Sequence, residues 1–149
     1  MDNVAFAYTA GMDEETVERR LREREHGTLS LARDGEAYAV PLAHHYEDGK
    51  LYFRLANTPD ATKKRFLETT EDATYVVYEA TETDDPHGLD SWSVLARGPL
   101  TVLDDDVLSD GEINDWFAPY RVFDEELSEV SVEIVRMDPE SLTGRETSA

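Results

Sequence analysis

Residues 37–56 read "AYAVPLAHHYEDGKLYFRLA", and the way they fold back on themselves decides the architecture. Asp48-Gly49 is a strong two-residue hairpin signal, because that turn needs φ above zero at both central positions. The turn sets Glu47 opposite Lys50, Tyr46 opposite Leu51, His45 opposite Tyr52 and His44 opposite Phe53. Carried further, it sets Ala43 opposite Arg54, Leu42 opposite Leu55 and Pro41 opposite Ala56. Opposed residues share a face. One face then holds Val40, Leu42, His44, Tyr46, Leu51, Phe53 and Leu55, an apolar set that a slip of one residue would scatter. This face is read as the core. The other holds Ala39, Pro41, Ala43, His45, Tyr52, Arg54 and Ala56. No Asp or Glu occurs from residue 37 to residue 46, although the chain has 34 acidic residues. Small side chains there admit a packed helix, a partner subunit or a planar ligand lying on the strands.

Further strands and short helices flank this hairpin. Residues 1–11 read as an N-terminal arm, and Asp13–Glu25 as a helix with Asp13 as its cap. Residues 28–33 are a first strand, and the hairpin arms, Ala37–Tyr46 and Leu51–Ala56, the second and third. Pro59–Glu68 is a short helix and Thr74–Ala80 a fourth strand. Residues 81–90 are a polar loop. Trp92–Leu103 is a long fifth strand, in which Gly98-Pro99 predicts a bend, bulge or edge. Asp106–Phe117 reads as helix and Val130–Met137 as a last strand. Six strands with three helices, mostly joined as hairpins, predict a single α+β domain, mainly β, over residues 1–149, built on an antiparallel sheet or small barrel.

The net charge of −20 is far beyond the magnitude of about 2 to 8 that solubility needs. The acids run through the whole chain, between apolar stretches of clear period, so the chain is not of the disordered acidic class. An acidic surface poor in lysine is read as halophilic, its self-repulsion screened within about 3 Å at 1 M salt. The chain has no basic stripe, which argues against nucleic acid. It has no cysteine, so no disulfide or thiolate chemistry. It has no signal core and no membrane-length apolar run, so a soluble cytoplasmic protein is expected.

Against that charge, "DATKKRF", residues 60–66, stands out: Lys63 and Lys64 are two of only three lysines in the chain. They fall in the first turns of the short helix, where Thr58 or Asp60 can cap. Cations there oppose the helix dipole. Pairing with Asp60 and Glu68 would account for them at a few tenths of a kcal/mol each. A bound phosphate, held by free N–H groups, the Thr62 hydroxyl and the lysines, accounts for them better. Arg54 lies close enough in sequence to reach the same anion. His44 and His45 point to opposite strand faces, and no histidine has a partner at metal-ligand spacing, so no metal is expected. No catalytic acid or base stands out; His45 is the best-placed candidate, because it shares a face with Tyr52 and Arg54.

The run from His26 to Ala80, followed by "SWSVLARGPLTVLDD" at 91–105, resembles the pyridoxamine 5′-phosphate oxidase-like flavoproteins, and within them the branch related to nitroimidazole-resistance proteins. The resemblance covers most of residues 12–145 and rests on the order and spacing of its motifs. It implies a six-stranded split β-barrel that forms a homodimer with FMN in clefts between the subunits. It carries Thr62, Lys63 and Lys64 to the phosphate segment. Val40, Pro41 and Leu42 correspond to the strand beside the flavin ring, with Arg54 and its neighbours Phe53 and Leu55 on the next strand. Ser91, Trp92 and Ser93 correspond to a cleft-lining strand. Ala61 stands where many relatives have glycine. No pyridoxal-phosphate substrate signature is evident, so the resemblance implies flavin binding rather than vitamin-B6 oxidation. The implied activity is an FMN-dependent oxidoreductase that passes electrons, from a nicotinamide for example, to a small acceptor. The alternatives are a deazaflavin-dependent reductase, or a non-catalytic protein that stores or senses flavin or haem.

Overall fold

Two Asp-Gly pairs make tight turns between strands. Asp34 and Gly35 have φ of 46° and 81°, and Asp48 and Gly49 have 50° and 79°. These are the left-handed values that a twisted two-residue hairpin requires. The structure, a computed structural model, describes residues 9–56, 61–84, 89–103, 116–117 and 132–147. Its elements are β1 (Thr9–Gly11), α1 (Glu14–Glu23), β2 (His26–Arg33), β3 (Glu36–Glu47), β4 (Lys50–Ala56), α2 (Ala61–Thr69), β5 (Ala73–Glu82), β6 (Leu89–Gly98), β7 (Leu100–Val102), β8 (Val132–Met137) and β9 (Ser141–Thr147). The hydrogen-bonded order is β1-β9-β6-β5-β2-β3-β4-β8-β7, antiparallel throughout.

That order closes on itself. β6 pairs with β5, while β7, which continues the same run of chain past Pro99, pairs with β8 at the other end of the order. The six strands expected from the sequence therefore close a barrel: β2, β3, β4, β5, β8 and the β6–β7 strand. The expected bend at Gly98-Pro99 is the corner that makes this possible. Gly98 is buried there, and a Cβ on it would lie 2.3 Å from the Asp138 carbonyl oxygen, so the corner admits only glycine.

The hairpin register holds at the four pairs nearest the turn, His44–Phe53 to Glu47–Lys50. The three expected pairs beyond them do not form. From Ala43 back to Glu36, β3 pairs with β2, and β4 pairs along its length with β8. The two strands part because the core residues of each half must meet face to face. Phe53 of β4 packs on Tyr75 of β5, ring centroids 4.7 Å apart, although the strands are not neighbours in the sheet. The expected core face is buried: Leu51 and Phe53 are fully inaccessible, and Leu55, Tyr46 and His44 nearly so.

His44 is the buried polar member of this core. Its Nε2 lies 2.9 Å from the Leu21 carbonyl, an acceptor, so Nε2 donates. Its Nδ1 then accepts from the Tyr75 hydroxyl at 2.6 Å. Burial, opposed in part by the Leu21 carbonyl, pushes the pKa of His44 down to about 4.

Helix α1 packs over the barrel through Val17 and Leu21. Asp13 caps it by accepting from the Thr16 N–H, and hydrogen bonding from Thr16, by its side chain first and its backbone N–H second, lowers the carboxyl pKa. Helix α2 buries Phe66 and Leu67, and Phe66 stacks on Tyr38 at 5.3 Å. Among the described residues it runs Ala61–Thr69; the expected start at Pro59 lies outside them. Two strands were not anticipated. β9 flanks β6, and β1, in the stretch read as an arm, flanks β9. The expected helix over 106–117 lies outside the described residues, apart from Trp116 and Phe117. No helix among the described residues is long and apolar enough to cross a membrane.

Candidate functional site

The register fixes what the outer face of the barrel presents. One row runs Pro41, Thr28, Val76, Leu95, Thr143 across β3, β2, β5, β6 and β9. The next runs Ala39, Ser30, Thr74, Arg97, Ser141. Neither row holds a carboxylate. Ala37, Ala39 and Pro41 are exposed, as are Tyr78 at 68% and Leu95 at 44%. On a surface that is acidic elsewhere, these two rows are mostly small and partly apolar, with Arg97 as their one charge and Arg145 in a neighbouring row. Two adjoining clefts open on this face. One, of about 310 Å³, is lined by Val76, Tyr78, Glu79, Ser91, Trp92, Ser93 and Arg145. The other, of about 440 Å³, shares Ser93 and Arg145 and extends over Leu95 and Thr143.

The face continues beyond Ala43 into an aromatic cluster. The His45 ring stacks on Trp116, centroids 4.1 Å apart and 13° from parallel, and Tyr52 approaches the same indole at 4.9 Å. The Arg54 guanidinium lies 5.7 Å from the centre of the buried Phe117 ring. Burial lowers the pKa of both His45 and Arg54. His45 Nε2 is 3.9 Å from Glu47, which is too long for a hydrogen bond. The chain's own Trp116 and Phe117 thus cover this end of the face, while the alanine–proline end stays open.

The sequence model of the pyridoxamine 5′-phosphate oxidase family matches residues 13–146. The chain belongs to this family. No curated protein matches it. Among solved structures it resembles a FAD-binding protein from Mesorhizobium loti, with a TM-score of 0.72 at 21% identity over 94% of this chain and 99% of that one. A candidate 5-nitroimidazole antibiotic resistance protein from Bacteroides thetaiotaomicron gives 0.69 at 16% identity, covering 93% and 87%. A FAD- and haem-binding protein from Mycobacterium smegmatis gives 0.69 at 16%, covering 95% and 74%. At these identities the likeness is one of fold.

The residues that the family resemblance singled out fall into three groups. Pro41, Arg54, Ser91 and Ser93 lie on the outer face. Phe53 and Leu55 point into the core, so only their backbone can touch a ligand on that face. Val40 and Leu42 also pack against the core, half-buried. Trp92 alternates inward as well: it is 7% exposed, its Nε1 donates to Glu79 at 3.3 Å, and the Arg20 guanidinium lies 4.8 Å from the ring centre. Its ring is thus held between Glu79 and Arg20, while the residue also lines the smaller of the two clefts. Thr62, Lys63 and Lys64 lie in the first described turn of α2; the capping expected of Thr58 or Asp60 lies outside the described residues. Arg145 was not singled out. It stands opposite Ser93 on β9, a strand the sequence did not reveal. Among the described residues no cluster of three metal-ligating side chains occurs.

Proposed function

We propose that the protein binds FMN on the outer face of the barrel, in a cleft completed by a second copy of the chain, and serves as a flavin-dependent oxidoreductase. The observation that carries this reading is the carboxylate-free, small-residue face in a chain of net charge −20. Asp and Glu fill the surface elsewhere, and their exclusion from two full rows points to an anionic or apolar occupant. The exposed Ala37, Ala39 and Pro41 leave room for a flat ring to approach the β3 backbone, and the two lysines opening α2 suit a phosphate. Arg54, on the same face, would add positive charge near the ring. Bound there, the flavin would supply hydride and electron transfer, and the chain would supply position and electrostatics. FMN is favoured over FAD because the first turn of α2 provides one compact anion site. The acidic remainder of the surface is read as an adaptation to high salt.

A shared cleft requires a two-fold dimer that buries this face. In light scattering at micromolar concentration, the FMN-saturated protein is expected at twice the chain mass, with one FMN per chain. A monomer that binds FMN with full affinity would contradict the shared cleft. Oxidation of a reduced nicotinamide by the loaded protein, with a nitroaromatic or quinone acceptor, separates an enzyme from a carrier.

A further inference from the structure

β3 and β4 part beyond the His44–Phe53 pair, and Trp116 sits at the root of that fork. His45 and Tyr52 are the last outward-facing pair before the strands separate, and the indole contacts both, parallel to the His45 ring and tilted to Tyr52. On one side of the fork β3 carries Ala43, Pro41, Ala39 and Ala37 on this face, a run of about 20 Å with no side chain larger than proline. On the other side β4 carries Arg54, two residues beyond Tyr52. A planar ring laid along β3 within reach of Arg54 therefore ends against the indole.

Two observations separate Trp116 from a residue that only packs. Phe117, at 1% exposure and beneath the Arg54 guanidinium, already anchors this stretch of chain on the barrel, whereas Trp116 stays half-exposed on the outer face. The stack also carries a cost: His45 Nε2 is buried there with no hydrogen-bond partner among the described residues, and Glu47 stands 3.9 Å away. An apolar side chain at position 45 would pack on the indole without that cost.

We propose that Trp116 is a flavin-contacting residue, the end wall of the cleft, which sets how far the isoalloxazine ring reaches toward the β3–β4 turn. This assignment rests on the flavin reading above. His45 and Tyr52 hold the indole in place and leave the small-residue strip to the ring. The wall belongs to the same chain and lies inside the cleft that the second copy completes, so it needs no surface open to solvent in the dimer. Contact between the indole and the flavin adds stacking energy that depends on the ring and not on the phosphate.

The fluorescence of bound FMN tests this. An indole in contact with an excited flavin quenches it by passing it an electron, which then returns, with no net reaction; a phenyl ring cannot. Tyr52→Phe is made in every protein compared, because tyrosine quenches in the same way. At FMN saturation, Trp116→Phe should then be several-fold brighter than the protein that keeps Trp116. Trp116→Leu should weaken FMN and riboflavin by the same factor, about five- to a hundredfold, in calorimetric titrations. Equal brightness with and without Trp116, or a loss confined to FMN, would overturn the assignment while leaving flavin binding intact. If Trp116→Leu does not fold, the brightness of Trp116→Phe decides alone. A wild type that takes up neither FMN nor riboflavin would overturn the flavin reading and this assignment with it.

Discussion

Replacing Lys63 and Lys64 together with alanine is expected to raise the dissociation constant for FMN by about two to four powers of ten, and that for riboflavin hardly at all. Each lysine would supply a charge-assisted contact to the phosphate worth roughly 1.5 to 3 kcal/mol, and riboflavin has no phosphate to lose. The fold should survive. The apolar side of α2 is carried by Phe66 and Leu67, and two cations fewer at a helix N-terminus relieve an unfavourable dipole interaction. The double variant also makes the chain more negative by two charges, which penalises any anion. Arg19→Ala with Arg22→Ala removes the same charge from exposed positions of α1 and serves as the control. Isothermal titration of all three proteins with FMN and riboflavin reads the difference. An FMN loss no larger in the lysine variant than in the control would make the first turn of α2 an ordinary solvated helix start.

The second large effect is on stability in acid, through His44. Its folded pKa, about 4, lies below the ordinary 6.5 because the ring is buried as a neutral donor and acceptor between Leu21 and Tyr75. An unfolded histidine takes up its proton near 6.5. Between those values the unfolded state holds a proton that the folded state refuses, so stability is full above about 6.5 and falls as pH drops toward 4. The shift corresponds to about 3 kcal/mol. His44→Gln can keep a donor and an acceptor but does not titrate, and its loss over this interval should be smaller by about that amount. Denaturant unfolding of both proteins at pH 7.5 and 4.5 measures it. The protonation of the many carboxylates is common to both and drops out of the comparison. Equal losses in the two proteins would assign the acid sensitivity to those carboxylates instead.

Much of the barrel was legible because its central hairpin is over-determined. The Asp48-Gly49 turn, the alternation of large apolar residues and the lack of acids on one face all agree on one register. Gly98-Pro99 likewise announced its corner. The parting of β3 from β4 was not legible, because both continuations of the hairpin satisfy the alternation, and only the packing of Phe53 on Tyr75 chooses between them. β9 was missed for a different reason. "SLTGRET" has a single large apolar residue, Leu142, and its inward position at Gly144 is occupied from the other side by Met12 and Val17. A strand whose core contact is supplied by a glycine and a neighbouring helix shows no period. Arg145 remained hidden with it. The direction of Trp92 could have been read from its alternation with Val94 and Ala96, both of which point inward. The aromatic cluster of His45 with Trp116 needed the fold, since more than sixty residues separate its members.

The central claim is that this face holds a flavin, and the absorption spectrum of the protein after saturation with FMN and desalting tests it most directly. The account predicts retained bands near about 370 and 450 nm, at one flavin per chain, with the second band shifted or structured relative to free FMN. A desalted protein with no flavin absorbance, or one that instead carries only a sharp haem band, would contradict it.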